Sequence, residues 1–326
     1  MVAGSLAAFA IMLILDFSIG SSKMSWSSLF HALLEGPIGR QNMDAIVVWD
    51  IRLPMTLTSV FVGGSLAAAG LQLQTITNNP LASPYTFGIT SSASFGAAIS
   101  ITTGFSIAGQ LWLGTSVLAF LFAFLVSIGI YYIGKMRGMS TTTIVLTGIM
   151  MNFFFTALQQ LLQYRASAEV AQIISSWTFG NLARASWTSV FVSAALMACC
   201  SAAFMMWSWR LTALSAGEEN AESLGVNVKK LRVSVFFISS MLIAGSVAFI
   251  GTVGFVGLIA PHGARLLSGD DQRYLLPLSV LLGAMLMLLS SIVSKLLTVG
   301  AVLPVGIVTS LIGVPFLFLL MMRKKD

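Results

Sequence analysis

The sequence predicts an all-α polytopic membrane protein of about ten transmembrane helices, and three observations carry that prediction. Of 326 residues, 57% are hydrophobic and only 9% charged, against about 25% charged in soluble domains; mean hydropathy is +0.92. Apolar runs of the length that crosses a hydrocarbon core recur along the chain with short polar breaks between them. Lysines and arginines sit at the ends of those runs, where they orient a membrane protein. Nothing is left over for a large soluble domain, so residues 1–326 read as a single transmembrane domain.

The candidate spans are 3–20, 55–75, 87–107, 112–134, 142–163, 188–210, 233–250, 252–267, 275–296 and 304–322. The first has no Lys or Arg before it and Asp16 near its end, which argues for a retained span rather than a cleaved signal. Residues 21–50 follow as a segment outside the membrane. In 55–75 and 87–107, Gly63, Gly64, Ala67, Ala68, Gly70, Gly96 and Ala97 permit close helix approach. Between these spans Asn79, Pro80 and Leu81, with Pro84 beyond, form a helix-breaking turn. Span 112–134 ends in a decoy: Gly129, Gly134 and Lys135 keep the spacing of a phosphate-binding loop. Met136 then stands where a Ser or Thr is required, and no strand precedes the loop.

Residues 233–267 are nearly continuous and read either as one tilted helix or as two parted around Gly251 and Gly254. Positive charge decides between them. With ten spans and a cytoplasmic start, eleven basic residues lie inside: Lys135, Arg137, Arg210, Lys229, Lys230, Arg232, Arg265, Arg273, Arg323, Lys324 and Lys325. Six lie outside: Lys23, Arg40, Arg52, Arg165, Arg184 and Lys295. Nine spans would reverse the bias to seven inside and ten outside. Ten spans with both termini cytoplasmic is the expectation, and it makes 211–232 a cytoplasmic segment.

That segment is the most charged stretch of the chain. Residues 216–224 read as a short helix with Glu218 and Glu219 in its first turn, where acids suit the helix dipole, and with Glu222 following. Gly225 is placed to terminate it. Two readings stay open on spacing alone. The stretch is a solvated loop whose basic end anchors the next span, or a helix lying on the membrane that docks a soluble partner. Two readings also fit span 142–163, where Asn152, Thr156, Gln159 and Gln163 recur at i, i+4, i+7 and i+11. Such a stripe either hydrogen-bonds a neighbouring helix or lines a wet pathway.

Several function classes find little support. The basic residues are dispersed rather than gathered into a nucleic-acid-binding face, although the pI is 9.6. His31 and His262 are far apart with no Cys or carboxylate at ligand spacing, so no metal site is expected. Cys199 and Cys200 are adjacent in an apolar run and read as packing residues. Ionisable residues are nearly missing from the spans; Asp16 and Lys295 stand close enough to span ends to reach the interface, which argues against proton-coupled transport.

With these residues in place, the chain resembles the FecCD-type permeases, the membrane subunits of bacterial importers for iron-siderophores, haem and vitamin B12. The likeness rests on RLP at 52–54, Gly63, Leu66, Gly70, Gln74, NPLASP at 79–84 and Gly88. It continues with GEENAESLGV at 217–226, GFVGLIAPH at 254–262, LPVGIVT at 303–309 and GVPF at 313–316. The resemblance implies a type II ABC importer permease bundle in the bacterial plasma (inner) membrane, paired with a second permease and with two ATPase subunits that use ATP and Mg. This chain itself would hold no cofactor and hydrolyse nothing. It further implies an iron-siderophore as cargo, with cobalamin or haem as the alternative; apart from the resemblance, an ATP-independent carrier or channel stays as the alternative from another class.

Residue by residue, the resemblance makes Gly217, Glu218, Glu219, Ala221, Glu222, Leu224 and Gly225 the helix that seats in the ATPase. It also favours the pathway reading of Asn152, Thr156, Gln159 and Gln163. At the outer face it implies that Arg52 and Lys295 hold an acidic, extracytoplasmic substrate-binding protein. Departures occur at Met55, Ser92, Ser291 and Val302, where the family pattern carries Arg, Gly, Asp and Glu. Lys295 replaces an Arg and loses its bidentate geometry. These departures tilt the expectation slightly from a homodimer toward a heterodimer of related permeases.

Overall fold

A computed structural model describes residues 2–20, 24–37, 42–138, 140–297 and 302–322. Lys23, Arg40 and the basic tail at 323–325, used in the charge count, lie outside them. Each of the ten candidate spans coincides with a helix: α1 (Val2–Ser18), α4 (Leu53–Thr77), α5 (Ile89–Thr103), α6 (Leu111–Met136), α7 (Thr141–Arg165), α9 (Trp187–Met206), α12 (Val228–Ile250), α13 (Val256–Ser268), α14 (Gln272–Leu297) and α15 (Val305–Met322). Short helices fill the connections: α2 (Trp26–Glu35), α3 (Met43–Ile46), α8 (Ala168–Thr178), α10 (Ser208–Ser215) and α11 (Glu218–Ser223). Among the described residues six helices are long and apolar enough to cross a bilayer: 43–77, 111–136, 141–165, 187–206, 228–250 and 272–297.

Helix α4 is the axis of the molecule. It is buried on all sides, and α9, α12, α13 and α14 pack around it. Small residues allow this: a Cβ on Gly63 would meet the Gly283 carbonyl of α14 at 2.4 Å, and one on Gly70 would overlap the Gly257 backbone of α13. Without side chains at these crossings the backbones approach closely, and dispersion contacts replace the hydrophobic drive that lipid cannot supply. The chain enters α4 through a π-helical turn, Val47–Arg52, a wide turn that carries Arg52 to the helix start.

The apolar run 233–267 is two helices. Helix α12 stops at Ile250, Gly251 adopts a left-handed φ of +83°, and α13 begins at Val256. Backbone hydrogen bonds within the protein tie the end of α12 to the loop after α8, and that loop to the start of α15. Asn181 N–H donates to the Ile250 carbonyl at 2.7 Å, Val305 N–H to Gly180 at 2.8 Å and Gly306 N–H to Phe179 at 2.9 Å. Irregular backbone at membrane depth is tolerated only when covered in this way. Helix α13, 13 residues long, rises about 20 Å, too little to cross a 30 Å core unaided.

The helices sort into two ends. One gathers the end of α4, helices α10 and α11, the start of α12, the end of α13 and the start of α14; this is the cassette end. The other gathers the end of α1, the start of α4, the start of α9 and the end of α14.

Candidate coupling and translocation site

At the cassette end the helix forms over Glu218–Ser223, two residues short of the expected start at 216 and one short of the expected end at 224. Gly217 precedes it at φ +122° and Gly225 follows it at φ +80°, backbone angles that L side chains rarely adopt. The C-terminal bonds are those of a Schellman cap: Val226 N–H to the Ala221 carbonyl at 3.0 Å and Gly225 N–H to Glu222 at 2.9 Å. Buried Ala221 and Val226 complete the cap's apolar contact. Only Ala221 of this helix is buried, so Glu219, Glu222 and Leu224 face outward, with Leu224 63% exposed. The helix is rooted by Ala221 and presents an exposed leucine among acids.

The root is electrostatic as well. Arg232, in the first two turns of α12, is 4% exposed. Its Nη2 donates to Glu218 Oε2 at 2.9 Å and its Nε to the Ile76 carbonyl at 3.1 Å. One guanidinium thereby joins α11, α12 and the end of α4. The sequence reading missed this, treating Arg232 as a span-end anchor; its partner carbonyl, 156 residues away, leaves no local signal.

The turn after α4 belongs to the same end. Asn78 is left-handed at φ 46°, and Asn79 N–H returns to the Gln74 carbonyl at 3.1 Å. Asn79 Oδ1 accepts from Leu81 N–H at 2.9 Å, an Asx turn that leaves Pro80 and Leu81 exposed. Beneath it lies a buried polar network. Gln72 Nε2 donates to Gln272 Oε1 at 3.0 Å, Gln272 Nε2 to Thr75 Oγ1 at 3.0 Å, and Gln272 N–H to Thr212 Oγ1 at 3.0 Å. These amides lock α4, α10 and α14 to each other behind the cassette.

The stripe on α7 divides. Gln163 Nε2 donates to Ser175 Oγ of α8 at 2.6 Å, and Gln159 Nε2 to Gln163 Oε1 at 3.3 Å. That half hydrogen-bonds a neighbouring helix. Asn152 and Thr156 are half-buried on the face toward α5, whose preceding Gly88, at φ +67°, sits so close to α7 that a Cβ there would meet the Asn152 nitrogen at 2.6 Å. The opposite face of α7 is bare: Met150, Phe153, Phe154 and Tyr164 are exposed, as are Leu311, Val314 and Phe318 of α15. A cavity of about 610 Å³ opens beside α15, between Tyr85, Phe179, Thr252, Gly306, Ser310 and Pro315.

At the opposite end, Arg52 and Lys295, expected to hold a binding protein, are 3% and 6% exposed. Lys295 Nζ donates to Asp16 Oδ1 and to the Asp16 carbonyl, both at 2.8 Å, and Thr56 Oγ1 donates to Asp16 Oδ2 at 2.6 Å. Arg52 Nη1 donates to the carbonyls of Phe17 and Ser18 at 3.2 and 2.7 Å, neutralising the negative C-terminal end of α1. Asp16 and Lys295 are thus each other's partner, and the signal in the sequence was an acid and a base, each isolated in an otherwise apolar span.

No group of three or more His, Cys, Asp or Glu side chains capable of holding a metal occurs among the described residues. The phosphate-loop spacing around Gly129 and Gly134 lies within uninterrupted helix α6.

Known proteins resemble this chain along nearly its whole length. A molybdate import system permease protein of Haemophilus influenzae is 38% identical, covering 86% of this chain and 82% of its own. A hemin transport system permease protein of Yersinia pestis is 31% identical, covering 98% and 95%. A solved structure described as an inward-facing conformation of a metal-chelate type ABC transporter superposes with a TM-score of 0.85 at 33% identity, covering 98% of both chains. PsaBC from Streptococcus pneumoniae, at 20% identity and a TM-score of 0.60, shares the fold. The model of the FecCD transport family matches residues 8–323; the chain belongs to that family and is a multi-pass transport protein of the inner membrane.

Proposed function

We propose that this chain is the permease subunit of an ATP-driven importer that moves a metal chelate inward through the membrane, with hydrolysis carried out by two separate ATPase subunits. The observation that carries the proposal is the cassette: a capped, outward-facing helix fastened by Arg232 to both α12 and the axial helix α4. Pressure on Leu224 and its acidic neighbours is transmitted to two spanning helices through one buried guanidinium. Such a lever has a use only if something soluble pushes it.

The remaining assignments follow from this reading. Ten spans with both termini cytoplasmic place 211–232 and the turn at Asn79 to Leu81 on the ATPase side. The bare faces of α7 and α15 would pair with a second permease, a heterodimer slightly favoured, and the path would run past Asn152 and Thr156 on the other side of α7 and the cavity beside Thr252 and Ser310. A binding protein would deliver cargo at the opposite face through contacts other than Arg52 and Lys295. We assign an iron-siderophore as cargo; a haem or cobalamin reading fits the same path. A molybdate-type oxyanion is the second reading, on the strength of the 38% identical relative.

The test is affinity purification of the chain with its operon partners in mild detergent, for wild type and Leu224→Asp. An ATPase subunit recovered with wild type and depleted in the variant, at unchanged permease yield, supports the importer. Absence of any ATPase under conditions that preserve other importers reopens the carrier or channel reading. Competition of radiolabelled ferric siderophore uptake by molybdate then separates the two cargo classes.

A further inference from the structure

Three basic residues of the Asp16 end are accounted for inside the chain. Lys295 pairs with Asp16, and Arg52 serves the C-terminal carbonyls of α1. Arg165 stands in the last turn of α7, where a cation suits the helix dipole. Arg184 is the exception. It closes a 3-10 turn, Leu182–Arg184, between α8 and α9. Its side chain makes no hydrogen bond or ion pair among the described residues. Burial lowers its pKa from the ordinary arginine value, and no carboxylate raises it again. It also lies two residues before Ser186, the N-cap of α9, so the helix end beside it is the positive one. A cation that loses water and gains no partner is unfavourable. Nothing within the chain offsets it.

The turn that carries Arg184 is firmly placed. Asn181 N–H donates to the Ile250 carbonyl at 2.7 Å, and Asn181 Oδ1 accepts from Ala183 N–H at 2.8 Å. Leu182, 1% exposed, packs in one apolar cluster with Met55, Val62 and Ile250, which seats the turn on the start of α4 and the end of α12. Met55 is the position at which the family pattern carries an arginine. Here it is buried in the same cluster as Leu182, and a cation stands two residues beyond Leu182 instead. Ala183 is exposed and Arg184 partly so. The cavity beside Thr252 and Ser310 takes Thr178 and Phe179 from the preceding segment, but Arg184 does not line it and none of its lining residues is charged. A turn seated on the axial helix stands inside the lipid-facing perimeter. What reaches Arg184 therefore comes from the water at this end.

We propose that Arg184 is the docking cation of this chain and receives a carboxylate of the acidic soluble protein that delivers cargo. It does so in place of Arg52 and Lys295, both committed inside, and the assignment rests on the importer reading above. The fixed turn presents the guanidinium in one place, and its partial loss of water strengthens the attraction for an incoming acid.

The test uses the permease in nanodiscs with its ATPase subunits, titrated with the binding protein of its own operon, for wild type, Arg184→Gln and Arg165→Gln. Arg184→Gln should raise Kd roughly tenfold at low salt, chiefly through slower association, and the gap should close as salt rises. Arg165→Gln should leave Kd within about twofold. Ala183→Cys, which keeps Arg184, should crosslink to the docked protein, so the test survives a Gln variant that fails to fold. Equal Kd for wild type and Arg184→Gln at low salt, an equal loss in Arg165→Gln, or no crosslink from position 183 would overturn the proposal. Unchanged docking with reduced uptake of an anionic cargo would overturn it too, because Arg184 would then serve the cargo. Binding to wild type and Arg184→Gln alike removes the role of Arg184 alone, whereas no attachment to wild type brings down the importer reading with it.

Discussion

The two ends of this bundle use charge in opposite ways. At the Asp16 end the charges are interior: Asp16 and Lys295 are 0% and 3% exposed at their side chains, and with Arg52 they hold α1 to α4 and α14. At the cassette end, Glu218 is 49% exposed while its partner Arg232 is 5% exposed, and Glu219 and Glu222 face solvent without burying anything. One end uses ion pairs to close the structure and the other to present a surface. The same residue types therefore carry different consequences on substitution, set by what a broken pair leaves behind.

The largest effect is expected at the closed end. Asp16→Asn leaves Lys295 buried without its counter-charge, and breaking a buried pair on one side typically destabilises by about 3–5 kcal/mol. Thermal unfolding in detergent should show the variant strongly destabilised. Asp16→Leu combined with Lys295→Met should recover most of the loss, because well-packed apolar side chains replace a buried pair at little cost or even stabilise. A double variant as unstable as the single one would mean that the charges do more than fasten α1.

Arg232→Gln should come next, and its signature differs. The substitution removes the hydrogen bond to the buried Ile76 carbonyl, worth about 1.5–3 kcal/mol as a charge-assisted bond, and the half-exposed pair with Glu218, which solvent screens to at most about 1 kcal/mol. The expected result is a modest fall in melting temperature with transport reduced about tenfold or more, and an ATPase subunit that still co-purifies, since Leu224 is untouched. If transport and stability fell in the same proportion as in Asp16→Asn, the cassette end would be a second structural clamp and not a lever.

How much of this was legible beforehand depended on range. Helices were readable because hydropathy is a local property, and the 251–255 break because the distribution of basic residues favoured two helices where Gly251 and Gly254 alone left the run undecided. The cassette's ends were readable to within two residues: Gly225 marks the positive-φ position that ends it, whereas Gly217, inside the expected helix, adopts φ +122° and moves the start to Glu218. The arrangement of charge was not readable. Lys295 finds Asp16 across 279 positions and Arg232 finds Ile76 across 156, and nothing local in either segment announces the other. Gln163 shows the intermediate case: the helical spacing correctly put it on one face of α7 with Gln159, but only packing against α8 decided that the face was occupied by Ser175.

The smallest effect is expected for Glu218→Gln, and it sharpens the comparison most. Glu218 meets the same guanidinium as the Ile76 carbonyl, yet half of its side chain is in water. Solvent and salt screen such a pair to at most about 1 kcal/mol, and Gln retains an oxygen to accept from Nη2. Stability should therefore hardly move, and what change there is should shrink as salt rises. Arg232 would keep its bond to Ile76 and stay buried, so α4 and α12 remain joined while α11 is held to them more weakly. Transport should fall without loss of the folded permease, and by less than in Arg232→Gln. Were Glu218→Gln instead to unfold the protein as Asp16→Asn is expected to, the cassette end would be a closed interior like the other, and the division of labour between the two ends would fail.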